Sequence, residues 1–221
     1  EVVIHSGIYN LQLESVLAEV FKDSRIIRSF FNSLLYTFCG TLLNLAVTLP
    51  TAYALSRKNF FLKKPVTIFY MITMFIGGGM IPTYLVVQKT GLLDSMWALI
   101  VPGALSVYNM IVARTFFQQS TIPGEVQESA SVDGCDDFTF LIKIAIPLAK
   151  PILAVNVLLY AVGHWNSYFN ALLYMQTESK FPLQLILRSI LVQNETQLNQ
   201  QAVSVAARAA AEGARQLTEL M

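Results

Sequence analysis

Four stretches of the chain carry no Asp, Glu, Lys or Arg: Ser29–Ser56, Pro65–Gln88, Ser95–Ala113 and Pro151–Thr177, of 28, 24, 19 and 27 residues. A hydrocarbon core of ~30 Å takes ~20 mostly apolar helical residues, so each run has the length of a membrane span. A bilayer offers no water to an open strand edge, and the runs are too long for barrel strands, so all four predict helices. None is regular throughout. Pro50 lies in the first, Gly77-Gly78-Gly79 and then Pro82 interrupt the second, and Pro102-Gly103 sits in the third. Such breaks are tolerated where neighbouring protein or a water-filled cavity satisfies the freed backbone groups, which makes each either a packing kink or part of a pathway lining. The pattern predicts an all-α fold, a polytopic membrane helical bundle with four visible spans.

Composition agrees. Of 221 residues 54% are hydrophobic and 13% charged, against about 25% charged in a soluble domain. The 15 basic and 14 acidic residues nearly cancel, so no electrostatic footprint points to nucleic acid. Cys39 falls inside the first run and Cys135 in a polar loop, with no CxxC or metal-ligand spacing, which argues against a structural disulfide and against a metal site. The chain opens on Glu1 with no initiator Met, basic n-region or cleavage site, as expected of a fragment or a trimmed chain.

The basic residues between the runs set an orientation. Residues 57–64 carry Arg57, Lys58, Lys63 and Lys64 and no acid, which makes this loop cytoplasmic by the positive-inside rule. Alternation then places the Lys89–Asp94 link outside, Arg114–Lys150 inside, and everything from about Gln176 to Met221 outside. Lys22, Arg25 and Arg28 run against this order and are partly offset by Glu19 and Asp23. Residues 1–28 read as an extracytoplasmic lead-in with a short amphipathic helix at Leu11–Phe21. Phe181–Val192 and Ala202–Leu220 have helical spacing but carry Arg188, Arg208, Glu212, Arg215 and Glu219, and read as two surface or interfacial helices. The Ala-rich stretch reads alternatively as the lead-in to a further span.

The Arg114–Lys150 loop is the most informative segment. Thr121 can cap a helix, Pro123 suits its first turn, and Glu125 and Glu128 favour the positive end of its dipole. The helix continues through Val126, Ser129, Ala130 and Val132, small and β-branched residues suited to close approach by another surface. Asp133-Gly134 ends it, glycine supplying the left-handed conformation. Asp136 or Asp137 then caps a second helix, Phe138–Ile146, and Pro147 marks the break before the fourth span.

These residues resemble the cytoplasmic signature of the permease subunits of type I ABC importers, carbohydrate type: Glu-Ala-Ala, a glycine after three further positions, nine residues, then Ile-x-Leu-Pro. Here Glu128-Ser129-Ala130 is followed by Asp133-Gly134, nine residues intervene, and Ile144-Ala145-Ile146-Pro147 closes the pattern. Ser129 for Ala and Ile146 for Leu are the departures. The resemblance implies that residues 121–147 form a loop whose short helix docks in a groove of a separate ABC ATPase dimer and transmits its closure to the membrane helices. Glu128 would then be a docking or capping charge and Asp133 a turn-stabilising group; both also read as a solvated helix face. The chain has no GxxxxGK[ST] phosphate loop, so no cofactor is expected on it, ATP and Mg belonging to the ATPase, and no enzyme activity of its own is expected. Further implied partners are a second homologous permease, an extracytoplasmic solute-binding protein and the lipid bilayer of a prokaryotic cell membrane.

The segment His164-Trp165-Asn166-Ser167-Tyr168-Phe169-Asn170 is similar to the Trp-Asn motif of carbohydrate-type permeases. Amides bind sugar hydroxyls and aromatic faces bind C–H patches, so Trp165, Asn166, Tyr168 and Asn170 are candidate pathway residues, with Asn166 and Asn170 four apart on one helical face. Against this, Trp and Tyr gather at membrane interfaces and Asn bridges helices. Asn156, deeper in the same run, is either a pathway residue or interhelical glue, and His164 an interfacial residue. Residues 78–84 and 97–103 also resemble a subgroup handling complex oligosaccharides. The resemblance implies six spans, the first expected before Glu1 and the last after Met221, which makes residues 29–221 an incomplete type 1 transmembrane domain. The competing class is an ATP-independent secondary transporter or channel, which would place ionisable residues within spans; the four runs hold none besides His164.

Overall fold

The computed structural model describes residues 24–57, 60–119 and 124–219. The lead-in helix expected at Leu11–Phe21, Lys58 of the basic loop, and the capping residues Thr121 and Pro123 lie outside the described residues. Helix α1, Ser24–Ser56, is 33 residues long and runs unbroken through Pro50. At 1.5 Å per residue it reaches roughly 50 Å, well beyond the ~30 Å hydrocarbon core. The second run is not one straight span. It forms α2, Lys63–Phe75, and α3, Met80–Lys89, whose axes turn through 114°. Gly79 at the corner holds φ +83, a left-handed value that a side chain resists. The run still joins the two ends of the bundle, because Val66 and Tyr70 pack at one end and Tyr84 and Val87 at the other.

The third run is α4, Met96–Ile100, a 3₁₀ turn at Val101–Gly103, and α5, Val107–Gln119, with a 50° bend. Neighbouring side chains satisfy this break. Asn44 Nδ2 donates to the Gly103 carbonyl at 3.2 Å, and the Ser106 N–H donates to Tyr160 Oη at 3.2 Å. Next come α6, Gly124–Val132, and α7, Asp137–Leu148, whose middle turn Leu141–Ala145 is a π-helix. Then follow α8, Lys150–Trp165, α9, Tyr168–Tyr174, and α10, Leu183–Glu219.

Three boundaries differ from expectation. Pro147 does not break α7: the π turn, in which the Ile146 N–H donates to the Leu141 carbonyl, widens the helix just before the proline ring. The chain turns two residues later, at Ala149, where α7 and α8 meet at 87°. The fourth run ends its helix at Trp165: the Asn166 N–H and Nδ2 both donate to the Val162 carbonyl, at 3.1 and 2.9 Å, and the Ser167 N–H closes a tighter turn on the His164 carbonyl at 3.2 Å. The two tail helices are one, because residues 193–201 are polar except for Leu198 but contain no Gly or Pro to stop α10.

Two buried clusters hold the bundle, at opposite ends of α1. One gathers Tyr53 and Leu55 with Met110, Ala113 and Phe117 of α5, Phe140 and Leu141 of α7, and Ala149. The other gathers Tyr36 with Val87, Leu99, Ala171, Tyr174 and Leu185. Tyr36 and Tyr53 are 17 residues apart on α1, roughly 25 Å. Loops 57–64 and 114–150 therefore share one end, and 89–94 and 176–182 share the other. Large apolar side chains such as Phe38, Phe69, Phe75 and Leu158 stay exposed on the sides.

Candidate functional site

Helix α6 is closed by a Schellman motif. The Cys135 N–H donates to the Ala130 carbonyl at 2.9 Å and the Gly134 N–H to the Ser131 carbonyl at 3.1 Å, with Gly134 at φ +77. Ala130 and Cys135 face inward, against the cluster containing Phe140. That is a correction for Ala130, which the spacing alone assigned to a face open to another surface. Glu128 and Asp133 are exposed, as is Ser129, whose hydroxyl donates to the Glu125 carbonyl at 2.8 Å; Val132 is 87% exposed. Asp136, not Asp137, caps α7, accepting from the Phe138 and Thr139 N–H groups at 3.2 Å each. Hydrogen bonds from Thr139, then Phe138, hold its carboxyl below the usual range. Ile144 packs on the cluster from within the π turn, and Pro147 occupies the last turn of α7.

A clamp that spacing did not reveal joins this loop to α1. Arg57 Nη2 donates to Asp137 Oδ1 at 2.7 Å, and the guanidinium lies 5.4 Å from the Tyr53 ring centre and 5.8 Å from that of Phe140. The two rings stack at 6.2 Å. Arg114 Nε and Lys63 Nζ donate to the Leu55 and Ser56 carbonyls, so three cations gather at the negative end of the α1 dipole. Pro50, Tyr53, Arg57, Asp137 and Phe138 line a cavity of about 510 Å³ here.

At the far end of α8 the candidate pathway residues separate. Trp165 packs edge-on against Phe30 of α1, with ring centres 6.0 Å apart. Tyr168 packs on the cluster of Tyr36 and Tyr174. Asn166 and Asn170 are exposed but belong to α8's cap and to α9, so they do not share one helical face as expected. Asn156 is 1% exposed, its Nδ2 donating to the Ile152 carbonyl at 2.9 Å, and does not open onto a surface.

No family model matches the chain. Over 173 residues it is 41% identical to the polygalacturonan/rhamnogalacturonan transport system permease protein YtcP of Bacillus subtilis (strain 168), covering 78% of this chain and 60% of that one. Over the same length it is 42% identical to protein LplC of that organism, covering 78% and 58%. The crystal structure of a bacterial ABC transporter involved in the import of the acidic polysaccharide alginate matches with a TM-score of 0.77 and 35% identity, over 80% of this chain and 62% of that one. The chain belongs to the ABC transporter permease family. It spans about 60% of the length of these curated relatives.

In this permease the second site that spacing missed is a knot around Asp94, at the other end of the bundle, which has φ 55. Its carboxylate accepts from the Gln176 and Thr177 N–H groups at 3.0 and 2.9 Å, the Thr177 hydroxyl at 2.7 Å and Lys180 Nζ at 2.7 Å. Tyr36 and Asn32 of α1 donate to the carbonyls of Lys180 and Ser179, closing the knot onto α1. The Arg57 clamp carries its own prediction. Arg57→Ala leaves Asp137 without its cation and uncovers the stacked pair of Tyr53 and Phe140. Asp137 is largely exposed, so the ion pair and the cation–π contacts together contribute about 1–2 kcal/mol, and the thermal midpoint of the purified permease should fall by a few degrees.

Proposed function

We propose that this permease is one membrane subunit of an ATP-driven importer, that it forms with a second permease the path for a sugar or oligosaccharide delivered by an external binding protein, and that it couples to a separate ATPase through residues 121–147. In this reading the end bearing Arg57 and α6 is cytoplasmic and the end bearing Asp94 faces outside. The observation that carries it is α6 itself. It is a short helix whose C-terminal exit is fixed by the Gly134 turn, anchored to the bundle by Ala130, and it presents Glu125, Glu128, Ser129, Val132 and Asp133 outward. A valine left 87% exposed at the tip of a polar helix suits insertion into a groove of a partner. The named substrates of the relatives support a polymeric or oligomeric sugar as cargo. Trp165, Asn166, Tyr168 and Asn170 lie along the junction of α8 and α9 without converging on one face, and remain the pathway candidates on this subunit, the exposed Asn166 and Asn170 foremost; Asn156 does not.

The full-length protein, co-expressed with its ATPase, should co-purify with it. Val132→Cys should then crosslink to the ATPase, whereas Val155→Cys, exposed on the side of the bundle, should not. Absence of any crosslink from position 132 in every nucleotide state would sink the proposal.

A further inference from the structure

The contact between α1 and α8 is built on polar side chains. The helices run antiparallel: His164 sits over Gly40, and the Thr48 and Tyr160 hydroxyls pair at 2.6 Å. A Cβ at Gly40 would stand 2.6 Å from His164 Nε2, so the imidazole lies directly on the α1 backbone. On α1 the residues facing this seam follow helical spacing: Thr37, Thr41, Asn44 and Thr48. The hydroxyls of Ser29, Thr51 and Ser56 return to carbonyls about one turn back, and that of Ser33 accepts from the Leu183 N–H. Thr37 and Thr41 do neither, and both hydroxyl oxygens are buried without a partner. Buried without partners in the same seam are Asn44 Oδ1, on a side chain 2% exposed, and His164 Nε2.

Buried polar groups are nearly always paired with protein or with ordered water, and each left unpaired is costly. Four unpaired atoms within about three helical turns, none with a protein donor or acceptor in reach, form a set that one chemistry satisfies. A buried water takes two to four polar partners, and side chains four apart on a helix stand close enough to share one. We propose that the space between α1 and α8 is a water-binding seam, in which bound water bridges Thr37, Thr41, Asn44 and His164. The Thr48–Tyr160 pair bounds this set on the side toward Asn156, and Trp165 against Phe30 flanks its other end. Hydration also lets α8 shift along α1 without stripping these groups of partners, which a dry polar contact would forbid.

The inference does not depend on the ATPase reading and is tested on the full-length protein in its assembled complex, in lipid nanodiscs. Short X-ray pulses generate hydroxyl radicals from bound water, and mass spectrometry reads the labelled side chains. Tyr160 is 5% exposed and Phe140, in the apolar cluster, 3%. With each rate divided by its value in the unfolded chain, Tyr160 should label several-fold faster than Phe140. Thr37→Val combined with Thr41→Val should bring Tyr160 down to the Phe140 rate without raising the thermal midpoint. Equal protection of Tyr160 and Phe140 in the natural protein overturns the proposal, as does unchanged labelling in the double variant. If that variant fails to assemble, the ratio in the natural protein decides alone.

Discussion

Gly134→Pro should abolish substrate uptake by the reconstituted importer while ATP hydrolysis continues. Proline fixes φ near −65°, whereas Gly134 holds +77, so the turn after α6 cannot form with proline in place. The substitution also deletes the N–H that donates to the Ser131 carbonyl. Nothing lies within 4 Å of a Cβ at this position, so the penalty is one of backbone conformation and not of collision. Gly134→Ala is therefore the graded control: a left-handed alanine costs roughly 1–2 kcal/mol, and uptake should fall only partly. Uptake per ATP in proteoliposomes is the measurement. A natural ratio in the proline variant would show that the closed turn does not transmit motion.

Asp94→Ala should produce the largest loss of stability outside the membrane. It removes one carboxylate that answers four donors from the 176–180 segment, and charged hydrogen bonds contribute about 1.5–3 kcal/mol each before relaxation and solvent screening. Asp94 is partly exposed, so a net loss of about 2–3 kcal/mol is expected, read as a lower thermal midpoint and faster proteolysis near Gln176. The pH dependence has a definite sign. Hydrogen bonds from Lys180, then Thr177 and Gln176, hold the Asp94 carboxyl far below the usual carboxylate range. The stabilisation is complete above the unfolded value of ~3.9 and disappears as pH falls from there through the folded value. Asp94→Asn should flatten the decline of the midpoint below about pH 4; an unchanged acid limb would remove the knot as its cause.

Local chemistry was readable in the sequence and distant pairing was not. Charge-free runs placed α1, and Gly134 marked the end of α6, because both depend on a few adjacent residues. The second run showed its Gly77-Gly78-Gly79 break, yet the 114° turn depends on Val66 and Val87 docking on separate clusters. Asp94 and Arg57 gave no local signal: their partners lie 82–86 and 80 residues away. The break before α8 was misplaced at Pro147 because a π turn, which spacing does not announce, accommodates the ring. Asn166 and Asn170 seemed to share a face only on the assumption of one unbroken helix, which Asn166 itself ends. For the candidate site, the signature positions Glu128 to Pro147 were legible as a helix–turn–helix, but which of them face the bundle was not.

The 87° corner at Ala149 makes α7 and α8 the two arms of a bell crank. Ala149 is 2% exposed and packed among Phe140, Leu141 and Ile152, so the fulcrum is held, while both arms lie against α1, α7 through the Arg57–Asp137 pair and α8 through Gly40–His164 and Thr48–Tyr160. The arm α8 has 16 residues, about 24 Å. Turning the pair by about 10° carries its far tip about 4 Å sideways, at the level of Trp165 and Asn166. In the proposed coupling, a small push on the loop beside Arg57 would become a displacement at right angles to it, at the opposite end of the bundle.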